Sequence, residues 1–162
     1  MANFTHETFT VFDDWMTPKH AWENIKEYIP DKVIWEPFYG DGKSGHYLTQ
    51  LGFNVIHEPL DFFENNLGEI IVSNPPFSQS KAVMARLKEL DKPFIIIFPT
   101  SKINTSYMRQ FTNSGLHIII PLKRIHFKKM ENGSIVETKN SCNFDCFYYC
   151  YKIGLPNDIV WL

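Results

Sequence analysis

Cysteine is scarce in this sequence of 162 residues, and its arrangement excludes a disulfide framework. The three cysteines, Cys142, Cys146 and Cys150, are odd in number and form no Cys-x-x-Cys pair, which favours a reducing compartment. Their spacing places them on one face of a strand, where a free cysteine behaves as a small apolar residue. The six histidines are scattered without the spacing of metal ligands. We therefore expect no bound metal.

Long apolar runs and a large excess of one charge are also absent. The longest apolar runs are about five residues, far short of the ~20 that span a bilayer, and the N-terminus has no secretory signal pattern. We expect no membrane association and a cytoplasmic location, or the host cytoplasm if the chain is of viral or phage origin. The net charge of −2 gives no global attraction to nucleic acid, so such affinity requires a local basic patch.

Strand and helix signals alternate along the chain. Strands are predicted at residues 33–35, 53–57, 69–72, 94–98, 116–120 and 144–152. Helices are predicted at residues 18–28 with Thr17 as the cap, at 44–51, after a cap at Ser78 or Ser80, and at 105–112. Asn132-Gly133 predicts a hairpin between residues 124–130 and 134–138. Residues 1–14 form an N-terminal arm.

This alternation, without repeats or a linker, predicts one domain over residues 1–162. Its fold class is α/β, a three-layer sandwich whose sheet is mostly parallel with one antiparallel C-terminal strand.

A rigid polar loop follows the predicted strand at residues 69–72. In Ser73-Asn74-Pro75-Pro76-Phe77, each proline removes a ladder donor and fixes φ, so the strand must stop. An amide, backbone carbonyls and a flat ring are then held side by side, which suits a planar group that carries an NH2. A plain strand-to-helix turn is the alternative.

A second loop, Glu36-Pro37-Phe38-Tyr39-Gly40-Asp41-Gly42, follows the strand at residues 33–35. Its glycines allow a ligand to approach the backbone closely. Ligands of open parallel sheets bind at the carboxyl ends of the strands, so both loops should face one cleft. Glu58, at the end of the next strand, provides the carboxylate that a ribose diol requires, because it can accept two hydroxyl donors.

These two loops, in this order and each at a strand terminus, resemble the amino-methyltransferases that use S-adenosylmethionine. The resemblance covers roughly residues 14–152 and implies a Rossmann-like methyltransferase fold. It implies cofactor contacts from Thr17, Glu36, Pro37, Phe38, Gly40, Gly42 and Asn74. It also implies a catalytic loop made of Asn74, Pro75, Pro76 and Phe77.

Asp61-Phe62 resembles the family element that binds the cofactor's adenine, with Asp61 on the amine and Phe62 stacking nearby. Only Pro59 and Leu60 separate Asp61 from Glu58, so the helix and third strand usually found between them are shortened or missing. Which of Glu58 and Asp61 binds the ribose stays open.

Lys123-Arg124-Ile125-His126-Phe127-Lys128-Lys129 is the only dense basic cluster. It resembles a segment of adenine methyltransferases whose aromatic residue packs on a flipped-out base. The resemblance implies that Phe77 stacks on the target ring and that Phe127 is a second stacking wall, with Arg124, Lys128 and Lys129 meeting phosphates. Lys102 and His126 are further candidate substrate contacts in this patch. A solvated hairpin face is the alternative.

The implied reaction is methyl transfer to the exocyclic amine of adenine in nucleic acid, with DNA favoured over RNA. The Asn74 side-chain oxygen and the Pro75 carbonyl would accept the amine hydrogens and favour a pyramidal nitrogen. Only 31 residues separate Gly42 from Asn74, so no separate target-recognition domain is present, and a partner subunit or homodimer could supply recognition. The alternatives are a protein glutamine methyltransferase, a subunit of a heteromeric methyltransferase, a catalytically silent binding module, or nucleotide binding without methyl transfer.

Overall fold

Short strands and short helices alternate in the computed structural model, which describes residues 15–131, 134–136 and 144–162. The strands are β1 (Trp15–Met16), β2 (Ile34–Trp35), β3 (Val55–Ile56), β4 (Ile70–Ser73), β5 (Phe94–Pro99), β6 (Leu116–Ile120), β7 (Lys128–Glu131), β8 (Ser134–Val136), β9 (Cys146–Tyr151) and β10 (Ile159–Trp161). The α-helices are α1 (Lys19–Glu23), α2 (Lys43–Gln50), α3 (Ser80–Leu90) and α4 (Ser106–Arg109). The predicted N-terminal arm, the turn Asn132-Gly133 and Cys142 lie outside the described residues.

The main sheet has seven strands in the order β10-β6-β9-β5-β4-β2-β3. Its neighbours are parallel except for β9, which runs antiparallel to both β5 and β6. The predicted α/β fold, with a mostly parallel sheet and an antiparallel strand near its C-terminal end, is confirmed. No helix or strand occupies residues 57–69, so the region between β3 and β4 is shortened, as predicted.

Alternate residues of the sheet face two separate cores, as expected of strands that are covered on both sides. Ile95 and Ile97 of β5 pack in a cluster with Trp22 of α1 and Leu48 of α2. The intervening residues of β5 pack in a second cluster with side chains from α3 and α4; its members include Phe94, Ile96, Phe98, Val83, Met84, Leu87 and Met108. Helices therefore cover both faces, which makes three layers.

A second, small sheet joins the N-terminal end of the described chain to the predicted hairpin. Strands β7 and β8 are antiparallel, and Met16 of β1 pairs with Lys128 of β7. The first arm of the hairpin begins later than predicted, at Lys128. Ile125 and Phe127 are buried in the core instead.

Two predicted helix caps are wrong. Pro18 occupies the cap position of α1 without a side-chain bond, because the Thr17 hydroxyl bonds elsewhere. Gln79 occupies the cap position of α3, while the Ser80 hydroxyl donates to the Phe77 carbonyl at 2.6 Å. By contrast, Thr105 caps α4 by accepting from the Met108 amide at 3.3 Å.

Strand β10 is absent from the prediction, which left only a tail after the strand at residues 144–152. It pairs in parallel with β6 and extends the sheet by one edge strand. Within the described residues, no helix is long and apolar enough to cross a membrane.

Candidate active site

The loops after β2, β3 and β4 converge at one edge of the sheet, because these strands are parallel neighbours. Glu36 follows β2, His57 follows β3 and Asn74 follows β4. Glu36 is bonded to Ser73, the residue before Asn74, and its carbonyl lies 3.1 Å from His57 Nδ1. The two predicted loops therefore meet at the carboxyl edge, where open α/β sheets bind ligands.

Asn74 has one end of its amide anchored and the other unsatisfied. Its Nδ2 donates to the Thr17 hydroxyl oxygen at 2.9 Å, across 57 residues of sequence. Its Oδ1 is buried and has no hydrogen-bond partner among the described residues. An unpaired buried acceptor costs about 1–3 kcal/mol, so this oxygen is suited to accept a hydrogen from a bound group.

This bond holds Thr17 beside the loop that carries Asn74, so the Thr17 hydroxyl already has a hydrogen-bond partner. Its predicted contact with a cofactor stays a prediction. Thr17 is 7% exposed, so water competes little for this hydrogen bond. Thr17 thereby holds the Nδ2 end of the Asn74 amide.

Glu36 ties the glycine loop to the end of β4. The side chain is 1% exposed, and Oε1 accepts from the Phe38 amide at 2.9 Å and from the Ser73 hydroxyl. Burial raises the pKa of this carboxyl from 4.5 to about 8, and the two hydrogen bonds only partly offset that effect. Glu36 thus organises the loop that it precedes.

The glycine loop needs glycine at two positions. Gly40 and Gly42 have φ of 57° and 80°, a region that side chains disfavour. A Cβ at Gly40 would lie 3.2 Å from the Met16 sulfur, and one at Gly42 would lie 3.2 Å from the Tyr39 hydroxyl. The loop backbone is therefore held close to its neighbours.

Pro37 and Phe38, also predicted as cofactor contacts, are buried. The Phe38 ring packs on Phe62 at 4.9 Å between centroids. Pro37 and Phe38 therefore pack the glycine loop against the core.

Asp61 shows the same half-satisfied pattern as Asn74. Its Oδ1 accepts from the Phe63 amide at 2.8 Å, while Oδ2 is buried without a hydrogen-bond partner in the described part of the chain. One carboxylate oxygen is thus left for a ligand donor. Glu58 is exposed, so the choice between the two acids for a ribose stays open.

Phe62 does not offer the surface that stacking requires. Its side chain is 0% exposed and packs against Trp35, Phe38 and Phe63, with ring centroids 4.9 to 5.6 Å away. The predicted stacking role is not supported, because the apolar loop after β3 folds this ring into the core beneath Asp61. Phe62 instead fixes the position of Asp61.

His57 is a site residue that the sequence did not suggest. Its Nδ1 lies 3.1 Å from the Glu36 carbonyl, which can only accept, so Nδ1 carries the proton. Burial lowers the pKa of the ring from 6.5, although the bond to Glu36 acts in the opposite direction. The ring stacks on Tyr39 at 4.7 Å. A histidine between a strand and Glu58 carries no recognisable pattern, so no sequence signal marked it.

Phe77 belongs to a cluster of edge-to-face rings. It lies 5.9 Å from Phe98, 6.5 Å from Phe127 and 5.2 Å from Phe144, with interplanar angles of 68° to 89°. Phe127 is only 5% exposed and stands perpendicular to Phe77. The Phe127 ring is packed in the core, whereas Phe77 is half-buried and keeps some accessible surface. Stacking of a base against these two rings stays a prediction.

The basic segment is less available than its sequence indicates. Arg124 donates to both Asp145 carboxylate oxygens, at 2.7 and 3.1 Å, so its charge is already paired. His126 and Lys128 are exposed, and Lys102 is partly so; the Lys129 side chain lies outside the description. In the described ranges, no three His, Cys, Asp or Glu side chains group as metal ligands do.

Comparisons with known proteins identify the fold and no closer relationship. No family model and no curated protein matches the sequence. A proposed RNA methyltransferase from Pyrococcus horikoshii is 15% identical with a TM-score of 0.55, and the match covers 91% of this chain and 94% of that one. Precorrin-6y C5,15-methyltransferase from Geobacter metallireducens is 9% identical with a TM-score of 0.49, over 91% and 94% of the two chains. This chain therefore has the Rossmann-like α/β fold of the Pyrococcus horikoshii protein.

Proposed function

We propose that the chain transfers a methyl group from S-adenosylmethionine to the exocyclic amine of adenine in nucleic acid, with DNA as the favoured polymer. One observation carries this proposal: the Asn74 amide is anchored through Nδ2 by Thr17, while Oδ1 is buried with no hydrogen-bond partner among the described residues. A planar amine is the group that such an acceptor suits. The resemblance of Asn74-Pro75-Pro76-Phe77 to a catalytic loop supports the same reaction.

The residues at the sheet edge fit the cofactor. Asp61 Oδ2 is a buried acceptor that lacks a hydrogen-bond partner in the described chain, as a ligand amine requires. Exposed Glu58 supplies a carboxylate for hydroxyl groups, and the backbone at Gly40 and Gly42 suits close approach of a ligand. When bound, S-adenosylmethionine supplies a methyl group on a positively charged sulfur.

The chain's own contribution is to shape the nitrogen that is methylated. An aromatic amine is flat, because its lone pair is delocalised into the ring. An acceptor at Asn74 Oδ1, with the Pro75 carbonyl beside it, bonds best to a pyramidal nitrogen and so stabilises the transition state over the ground state. Because Oδ1 is covered, the loop must shift to admit the amine.

The rings of the two prolines and of Phe77 position the reacting groups. Pro75 and Pro76 are buried and stiffen the loop that carries Asn74, which favours the in-line geometry of the transfer. Phe77 would pack against the target base, worth about 1–3 kcal/mol for one base on an aromatic ring. The target base must leave a duplex to reach this loop.

Substitution of Asn74 tests the proposal. Asn74→Ala should lower kcat by about a hundred-fold or more, as loss of one preorganised transition-state contact does, and leave cofactor affinity nearly unchanged by calorimetry. Thr17→Val should lower kcat by about five- to ten-fold, because the amide loses its anchor. Thr17→Ser keeps the hydroxyl and serves as the matched control.

The substrate is identified by methyl transfer from labelled cofactor to DNA, RNA and protein pools, followed by nucleoside and amino-acid analysis. N6-methyladenine in DNA is the expected product. Unchanged turnover in Asn74→Ala would refute the mechanism. Labelled methyl on glutamine would identify a protein as the substrate. Activity that appears only with an added partner would make the chain one subunit of a larger enzyme.

A further inference from the structure

A cleft of about 400 Å³ lies beside the candidate active site, and Arg124 is the one predicted site residue in its lining. Its walls come from the ends of β5, β6 and β10 and from the start of β9. The lining residues that matter here are Thr100, Lys123, Arg124, Asp145, Phe147 and Trp161. Because β5, β6 and β10 end here while antiparallel β9 begins here, the cleft opens on the same edge of the sheet as Asn74.

Trp161 is the unusual member of this lining. It is 74% exposed, whereas Trp22 and Trp35 are 0% exposed in the two cores. A large aromatic ring in contact with water gains from covering its face. Trp161 lies on the edge strand β10, whose burial alternates so that Ile159 and Trp161 both project outward.

The cleft adjoins the cluster of aromatic rings around Phe77. Phe144 lies 5.2 Å from Phe77 and is followed directly by Asp145, which lines the cleft. On the other side, Phe98 lies 5.9 Å from Phe77 and is paired in register with Phe147. Two short paths therefore connect the catalytic loop to the cleft wall.

The charges of the cleft favour an anion. Lys123 is exposed and has no ion-pair or hydrogen-bond partner in the described part of the chain. Arg124 is paired with Asp145 at 2.7 Å, so the wall keeps one net positive charge. An exposed aromatic ring beside an unpaired cation is the combination that binds a base and its phosphate in a single strand.

We propose that this cleft binds the nucleotide adjacent to the target adenine in the substrate strand, with its base stacked on Trp161 and its phosphate near Lys123. This inference rests on the proposed function, because it extends the same strand away from Phe77. It assigns a substrate contact to a strand that the family resemblance does not cover, and a phosphate contact to Lys123, at the start of the basic segment.

Trp161→Ala is the direct test, with short single-stranded DNA and RNA oligonucleotides as the probe and fluorescence anisotropy as the readout. The variant should bind roughly 5- to 100-fold more weakly, the range that follows from loss of one base–aromatic stack. Trp161→Phe should retain most of the affinity. Ile159→Ala, on the same outward face of β10 but outside the cleft lining, should bind as the unaltered protein does.

Tryptophan emission gives a second readout that does not depend on turnover. A base stacked on Trp161 should quench the emission, and that quenching should disappear in Trp161→Phe. Thermal unfolding of each variant shows whether the fold is retained. If Trp161→Ala proves unstable, the binding affinity and lost quenching of Trp161→Phe decide the question.

The outcomes separate this inference from the proposed function. Full affinity in a folded Trp161→Ala, alongside an inactive Asn74→Ala, would overturn the cleft and leave the function standing. Stacking at Trp161 without methyl transfer would support the cleft and overturn the function. A Trp161→Ala variant that changes oligomeric state but binds nucleic acid normally would assign the residue to an interface between copies and overturn the proposal.

Discussion

Burial of Glu36 couples the stability of the active-site edge to pH. The carboxyl has an ordinary pKa of 4.5 and a folded-state pKa of about 8, mainly because burial removes water from it. Between these values the folded state binds more protons than the unfolded state. The free energy of unfolding should therefore be highest below about pH 4.5, as far as this group is concerned, and fall as pH rises towards 8.

Glu36→Gln should remove this pH dependence, because glutamine resembles the protonated acid in shape and cannot ionise. Relative to that variant, the unaltered protein should lose stability between about pH 5 and 8, by at most about 1.4 kcal/mol per pH unit for one proton. Urea unfolding of both proteins across this range measures the difference. Glu58→Gln, at the exposed acid after β3, is the matched control and should follow the unaltered protein.

If the unaltered protein and Glu36→Gln showed parallel stability curves across that range, the folded-state pKa of Glu36 would be ordinary. The carboxylate would then be charged at neutral pH, and its role as a protonated organiser of the glycine loop would be excluded.

Residue types at strand ends were predictable, but the state of individual atoms was not. Asn74 and the glycine loop stand out in the sequence because proline and glycine restrict or free the backbone in known ways. The anchoring of Asn74 by Thr17 joins residues that are far apart in the chain. Phe62 and Phe127 were assigned to ligand contact, but an aromatic residue looks the same in sequence whether a base or the core covers it.

At the scale of elements, helix α2 and strand β3 approach each other unusually closely. A Cβ at Gly45 of α2 would lie 2.1 Å from Cγ of His57, a ring that is itself held by Tyr39 and the Glu36 carbonyl. Such a distance requires the ring or the helix to move. The absence of a side chain at Gly45 therefore sets the position of His57 at the site.

Gly45→Ala should destabilise the protein by about 1–3 kcal/mol, the usual cost of overpacking. A loss of stability would be informative, because Ala is a better helix former than Gly by about 1 kcal/mol and would otherwise stabilise α2. Chemical unfolding measures the change. In a His57→Ala background the same substitution should be neutral or stabilising, and an equal cost in both backgrounds would show that His57 is not the obstacle.

The existence of the main strands and their positions along the chain were predictable, whereas short elements were not. A buried strand such as Phe94–Pro99 can be recognised from its continuous run of apolar residues. Strand β10 has three residues after a turn-rich stretch, too few for any period to appear. Helices α1 and α4 are also shorter than predicted, since tertiary packing of a few residues decides where a weak helix ends.

At the scale of the whole molecule, contacts between distant segments assemble the site. Met16 pairs with Lys128, and the next residue, Thr17, holds Asn74. The start of the described chain, the Asn74 loop and the basic segment are thereby joined. No local sequence pattern predicts these long-range contacts, because each of the three segments has the sequence of an ordinary strand or turn.

With a net charge of −2, the proposed nucleic-acid binding must depend on a few local cations. Lys102, Lys123 and Lys128 lie along the proposed substrate edge, and single-stranded nucleic acid loses affinity with a slope of about −0.7 in log K against log salt for each phosphate neutralised. We therefore expect a shallow slope, between about −1 and −3. Anisotropy titrations over a range of salt concentrations measure it.

Lys123→Gln should reduce the magnitude of that slope by about 0.7, because one phosphate contact is lost. Lys32→Gln removes an exposed lysine that precedes β2, at the opposite edge of the sheet, and should leave the slope unchanged. An equal effect of both substitutions would mean that overall charge, rather than the local cation beside Trp161, governs binding. A slope independent of salt would exclude phosphate recognition at this edge altogether.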